Sequence, residues 1–340
     1  MNWQNFHTIF LRICGILALI SNALMFQLIC YSSPRNLGAY KYLMIYFAVF
    51  EFLYAILDMI LLPDVYTLNS AFLVAITSER SHIPPTILPA ANVMYWFFFG
   101  LTLALINVHF VFRYLVVKGT KVWTSSKPST LLIWLILPLS CGALHSYGCR
   151  LFFGPTRESD RFFKEIVFNN TEPNFYAMGF YLFPKNENGT EFLNWMSVYG
   201  VLEIVVGVSV SYSIMLLFGI KCYKIIQNLQ SQKSGSSQYR KIQKQLFLAL
   251  VLQTIIPILL MFIPSAIILV FLIMDQSSEL HGKMFGLSVA LYPVFDPLPN
   301  MLIIDCYRNA IRDYCRKIFC LKSKQVTIQP TRRHSQSTSL

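Results

Sequence analysis

Charge is what this chain has least of. Only 13% of its 340 residues are Asp, Glu, Lys or Arg, about half of what a water-soluble domain carries. None of these four occurs from Ile13 to Pro34, from Ser81 to Phe112, from Pro128 to Cys149 or from Gln245 to Met274. Catalytic signatures are missing too. There is no G-x-S-x-G, H-E-x-x-H, P-loop or G-x-G-x-x-G, which removes the usual hydrolase, metalloprotease and nucleotide-binding readings. No lysine lies between Met284 and Ile304, so a retinal Schiff base in the last apolar run is excluded. The 55% of residues that are hydrophobic, with 28 Phe and 18 Tyr, belong to a surface facing lipid or an apolar pocket.

A helix needs about 20 apolar residues to cross roughly 30 Å of hydrocarbon. The four charge-free runs meet that length. Three more do so with isolated acids: Glu51 and Asp58 in the second run, Glu203 in the fifth and Asp296 in the seventh. The expected fold is therefore an all-α membrane protein, a seven-transmembrane-helix bundle. Its spans fall at about 10–31, 42–62, 88–112, 128–149, 193–220, 246–274 and 284–304, within a membrane domain covering 1–316. A short helix over 306–320 and a polar, disordered tail over 321–340 follow. Prolines inside the runs (Pro138, Pro257, Pro264, Pro293, Pro297) are tolerated because neighbouring helices satisfy freed carbonyls. The first run lacks a strong basic leader and an A-x-A site, and reads as a signal anchor. Inverted repeats of the kind secondary transporters show are not evident.

The net charge of +12 does not imply a nucleic-acid partner, because the basic residues sit in short loops where they orient the chain. The loops 31–41, 113–127 and 221–244 and the tail from Asp305 hold 20 basic residues against two acidic ones. The other side holds eight basic and ten acidic. Positive loops stay in the cytoplasm, so the C-terminus is expected inside and the N-terminus outside. Two N-x-S/T sequons, at Asn169 and Asn188, both lie in the long loop between spans four and five, the outer side by charge, where glycosylation occurs. Of eight cysteines none lies in that loop, so no disulfide framework is implied. Cys315 and Cys320, beside Arg316, Lys317 and Phe319, are either palmitoylation sites on an amphipathic helix or ordinary free thiols.

Several segments carry more than hydropathy: Asn36-Leu-Gly-Ala-Tyr-Lys-Tyr-Leu-Met44, His109-Phe-Val-Phe-Arg-Tyr114, Lys244-Gln-Leu-Phe with Leu252-Gln-Thr-Ile-Ile-Pro257, and Leu291-Tyr-Pro-Val-Phe-Asp-Pro-Leu-Pro299 followed by Asp305-Cys-Tyr-Arg308. In this order the chain resembles the nematode serpentine chemoreceptors of the Str type, over about Asn22 to Arg316. The resemblance implies a G-protein-coupled olfactory-type receptor in the ciliary plasma membrane of chemosensory neurons. It would bind a small-molecule odorant from outside and activate a heterotrimeric G protein, with no cofactor, no metal and no enzymatic activity. A seven-span ligand-gated cation channel is the alternative, but that architecture keeps its N-terminus in the cytoplasm, against charge and sequons alike.

Residue roles follow from the same alignment. Arg113-Tyr114 stands where rhodopsin-like receptors carry Asp-Arg-Tyr. Phe112 replaces the acid, so the usual lock is missing. Arg113, Tyr114, His109 and Lys244 are the candidates for G-protein coupling, although His109 one turn earlier could equally be packing. A cysteine staple between span three and the outer loop is also missing, so that loop needs another means of order. Glu51 and Asp296 lie at similar depths, and burial in hydrocarbon is costly for a carboxylate. They read either as an activation switch with Pro297, facing one another across a water-filled core, or as a kink and a carbonyl partner. Asn92, Tyr95, Trp96, Phe99, Tyr199 and Glu203 are candidates for an outer ligand pocket or for plain packing.

Overall fold

The computed structural model describes residues 3–34, 37–162, 174–185, 190–231 and 236–318. In hydrocarbon a segment must satisfy its own backbone polar groups, and the apolar runs do so as helices. α1 (Trp3–Ser32) and α2 (Tyr40–Leu61) pair first. Two strands, β1 (Asp64–Leu68) and β2 (Ala71–Thr77), then lead through a single turn, α3 (Ser78–Ser81), into α4 (Leu88–Lys118). α5 (Pro128–Phe153), the short α6 (Arg157–Phe162) and β3 (Phe175–Tyr181) precede the long α7 (Trp195–Ser231). α8 (Ser237–Pro257) passes through a π turn (Ile258–Phe262) into α9 (Ile263–Ile273). The chain ends in α10 (Glu279–Phe295), α11 (Leu298–Ile303) and α12 (Asp305–Ile318).

Among the described residues, six helical segments are long and apolar enough to span a membrane, α8 to α9 counting as one. The segment Glu279–Ile303, which bends by 100° into α12, makes a seventh. α4 is the central helix, packed against α2, α5, α7 and α8. Of its most apolar stretch 67% is buried within the protein, against 6% for α7. The rest of α7 needs a lipid solvent, since exposed Val205, Val206, Val210, Leu216 and Leu217 form an apolar face no water-soluble monomer leaves bare.

Helices and expected spans differ mostly at the ends. α7 and α8 extend well past the apolar runs, because helical hydrogen bonding continues into water where hydropathy has already fallen. Ser236 caps α8 by accepting from the Tyr239 N–H at 3.1 Å. The π turn precedes Pro264, whose ring would clash with the carbonyl four residues back in a regular helix. α12 turns sideways along the far end of the bundle, and the Tyr307 and Ser33 hydroxyls hydrogen-bond at 2.8 Å.

The fold is mostly helical but not all-α. β1, β2 and β3 form one antiparallel sheet in that order, at the end of the bundle where the chain begins. β3 comes from the long loop between α5 and α7, so strand pairing ties Phe175–Tyr181 of that loop to the bundle without a disulfide; every cysteine among the described residues is free. Hydropathy missed the strands because each is far shorter than a span. β2, buried along its full length, reads Ala-Phe-Leu-Val-Ala-Ile-Thr, the continuous apolar run of a strand covered on both faces. The sheet is pinned on three sides. Asn69 exchanges backbone bonds with Ser277 (2.9 and 3.2 Å), and the Thr67 hydroxyl accepts from the Gly282 N–H at 2.7 Å. Asp64 sits between Arg80 and His7 of α1, with His7 Nδ1 at 3.0 Å. Burial pushes the Arg80 guanidinium down to about 10, yet it remains the cation of this cluster.

Gly179 pairs with Leu73, and a Cβ there would collide with the Phe72 carbonyl oxygen. Gly179→Ala should break the β2–β3 register and cost about 1–3 kcal/mol, read as a lower melting temperature of the purified protein. Gly207→Ala, inside α7 where a Cβ meets nothing within 4 Å, should not lower it, since alanine favours the helix.

Candidate functional site

The sheet roofs a cavity of about 450 Å³, within the range that holds a small organic molecule. β2 and β3 contribute Phe72, Val74 and Phe180, and α4 contributes Tyr95, Trp96 and Phe99. α7 lines one wall with Val201, Ile204, Val205 and Val208. The π turn, α9 and α10 close the opposite side through Phe262, Leu269, Phe285 and Val289. The widened turn places the Phe262 ring on the cavity. Residues with polar atoms are few on the lining: Tyr95, Trp96, Ser209 and Ser265. The Trp96 N–H is itself buried within the protein and has no hydrogen-bond partner.

Of the six residues expected at an outer pocket, the structure brings Tyr95, Trp96 and Phe99 to this cavity and leaves three elsewhere. Asn92 is fully buried beneath the sheet, where its amide donates to the Val74 and Tyr176 carbonyls at 2.9 and 3.3 Å; it holds the roof in place. Tyr199 is 52% exposed and stacks on Trp195 at 6.2 Å, on the outward face of α7. Glu203, one turn later on that face, meets His145 of α5 at 3.7 Å. α7 is apolar nearly all round, so its sequence has no periodicity to show which face turns inward.

Deeper in the bundle the two acids share one cluster. Glu51 and Asp296 are essentially inaccessible and interact electrostatically. The Tyr292 hydroxyl donates to Glu51 Oε1 at 2.7 Å. Gln253 donates to Asp296 Oδ2 at 2.5 Å, and Asn300 donates to Gln253 Oε1 at 3.0 Å. Asn22 of α1 reaches the Pro293 carbonyl at 3.1 Å. Asn22, His109, Gln253, Asp296, Pro297 and Asn300 surround a gap of about 10 Å³, no larger than one water needs. The expected water-filled core is thus a nearly closed hydrogen-bond network. Pro297, with no N–H to give, opens α11 and allows the break that turns Asp296 inward.

Three aromatic rings join cavity to network. Tyr95 lies 6.4 Å from Tyr54, and Tyr54 lies 6.5 Å from Tyr292, the donor to Glu51. Toward the other end of α4, Arg113 is 1% exposed. It donates to the Gln243 backbone carbonyl of α8 at 3.0 Å and lies 5.2 Å from the centre of the Tyr40 ring. With no acid beside it, a carbonyl and a π face take the acid's place. His109 belongs to the same group, its Nδ1 3.4 Å from the Tyr40 hydroxyl. Tyr114 points away, packing on Phe218 at 5.3 Å, and Lys244 is exposed beside buried Gln243.

Sequence reasoning passed over Gln253, Tyr292, Asn300 and Tyr40. Gln253 was the findable one, a carboxamide in a run of 30 residues with no charge. Cys315 is exposed on α12. Asn169, Asn188, Cys320 and the tail lie outside the described residues.

The profile of a family described as serpentine type seven-transmembrane G-protein-coupled chemoreceptor Str matches residues 7–312. The chain is 28% identical to the G-protein coupled receptor str-217 of Caenorhabditis elegans, over 91% of this chain and 90% of that protein. It is also 28% identical to the serpentine receptor class r-10 of C. elegans, over 82% of each. Its fold is similar to that of squid rhodopsin in a crystal structure, with a TM-score of 0.64 and 11% identity over 94% of this chain and 83% of that one.

Removing the Tyr292 hydroxyl (Tyr292→Phe) leaves Glu51 buried without its donor and should cost about 1–3 kcal/mol. Thermal unfolding in detergent measures it. Tyr46→Phe, at a half-buried hydroxyl 3.3 Å from the Leu135 carbonyl, should cost markedly less.

Proposed function

The chain belongs to the serpentine Str family of seven-transmembrane G-protein-coupled chemoreceptors, and we propose that it binds a small, largely apolar molecule in the cavity beneath the strand sheet. It is a chemosensory receptor, a multi-pass membrane protein of a family that works through G proteins. The observation that carries the binding site is the sheet-roofed cavity of about 450 Å³, lined almost wholly by aromatic and aliphatic side chains. Such an interior selects a compact, largely apolar ligand with few polar groups. Water-soluble ions are poor candidates, because nothing charged lines the space.

The orientation we favour puts the sheet outside and α12 in the cytosol. The charge asymmetry of the loops and the two sequons support it, with Asn169 and Asn188 as glycosylation sites. Binding would be transmitted along Tyr95, Tyr54 and Tyr292 to Glu51 and Asp296. Their hydrogen bonds to α8 and α10 then set the position of the cytosolic helix ends. There Arg113, released from the Gln243 carbonyl, would meet the heterotrimeric G protein, with Tyr114, His109 and Lys244 shaping the rim. Palmitoylation of Cys315 and Cys320 would hold α12 against the inner leaflet. A ciliary location in chemosensory neurons fits the family's sensory task.

Expression in a heterologous cell with a panel of volatile and water-soluble compounds, reading G-protein activation and membrane current in parallel, tests this directly. The expected result is activation without agonist-gated current. Phe99→Ala, which removes one aromatic wall of the cavity, should weaken agonist binding by about tenfold. A tag on the last residues should stain only permeabilised cells.

A further inference from the structure

We propose that His145, Cys149 and Glu203 form a binding site for a transition-metal ion of the zinc class, clamping α5 to α7 behind the ligand cavity. His145 and Cys149 are four residues apart on α5 and therefore share one helix face; Glu203 approaches that face from α7. One donor atom from each lies within 4.8 Å of the others. Cys149 Sγ is 3.5 Å from His145 Nε2, about the separation of nitrogen and sulfur ligands around a tetrahedral zinc ion. Glu203 Oε1 is 3.7 Å from the other ring nitrogen, Nδ1, so closing the set requires the imidazole to turn or the carboxylate to swing until all three donors face one point.

A bare His–Glu ion pair explains less. The 3.7 Å separation is too long for a hydrogen bond, and Glu203 Oε2 is buried with no partner at all. A cation between the three groups accounts for that orphaned oxygen. The site is also shaped by what is left out around it. A Cβ on Gly148 would come within 3.3 Å of the Glu203 carboxyl, and one on Gly100 within 2.5 Å of the His145 ring. Both positions are glycine, which gives these side chains their room.

The donors choose the ion. Imidazole nitrogen, thiolate sulfur and one carboxylate suit zinc or a copper ion, and exclude magnesium and calcium, which take oxygen ligands. Three protein ligands leave a fourth position for water or a ligand atom. On binding, the Cys149 thiol gives up its proton to solvent and coordinates as thiolate. Access is from the sheet side. Cys149 is four residues and His145 eight from the end of α5 at Phe153, and Glu203 is eight from the start of α7 at Trp195, so the donors lie roughly 6–12 Å below those helix ends. Trp96 and Phe99, both on the cavity wall, pack against His145 with ring centroids 6.4 and 6.2 Å away. An ion here would stiffen that wall.

Titrating the full-length receptor in lipid nanodiscs with Co²⁺ as a spectroscopic stand-in for zinc tests the site, whether or not any odorant is known. The expected result is a thiolate-to-cobalt charge-transfer band saturating at one ion per chain and bleached by Zn²⁺. The band should survive Cys141→Ser, an exposed thiol on the same helix, and vanish in Cys149→Ser. His145→Gln and Glu203→Gln should each weaken binding by about tenfold or more, and they report on the site even if the serine variant fails to fold. No thiolate band in the folded wild type, or a band that persists in Cys149→Ser, would overturn the proposal.

Discussion

Two carboxyl groups in a hydrocarbon-spanning bundle constrain the rest of the molecule. Neither Glu51 nor Asp296 can be left facing lipid, since an unpaired carboxylate there costs several kcal/mol. Both are turned inward, and the groups that receive them come from different helices: Tyr292 on α10 donates to Glu51 and Gln253 on α8 to Asp296, with Asn300 of α11 holding Gln253 in turn. The break at Pro297, the bend into α12 and the pairing of α1 with α10 through Asn22 and the Pro293 carbonyl all bring partners to these acids. A network assembled from so many helices responds to a shift in any one of them, which is the property a receptor uses.

The two ends of the bundle solve different problems. At the sheet end, aromatic and aliphatic side chains line a cavity under a β roof fastened by Asn92, Thr67 and Asn69. At the far end Arg113 is fully buried and tied to a backbone carbonyl, an arrangement less firm than an acid–arginine pair and easier to release. Between them runs the short ladder of Tyr95, Tyr54 and Tyr292. Its last hydroxyl, that of Tyr292, is the donor to Glu51, so the ladder ends on the buried acids.

Much of this was legible in the sequence. Four charge-free runs and three with only isolated acids marked the helices, because lipid enforces long, nearly uncharged runs. Glu51 and Asp296 stood out for the same reason, as did the aromatic cluster Tyr95, Trp96 and Phe99. The sheet was not legible: the five to seven residues of each strand carry too little hydropathy to register beside a span, and the pairing of β2 with β3 across about 100 residues has no local signature. Which way Glu203 and Tyr199 turn could not be read, because a helix apolar on nearly every side has no amphipathic phase. Gln253 and Asn300 escaped because an amide in an apolar run looks incidental until its partner is known.

The most direct test of the central role assigned to the buried acids uses the double variant Glu51→Gln, Asp296→Asn, reconstituted with G protein, and compares agonist binding with agonist-driven nucleotide exchange. If the acids form the switch, binding survives within about threefold while exchange changes by about tenfold or more, in basal level or in response. Binding and exchange both indistinguishable from wild type would contradict it.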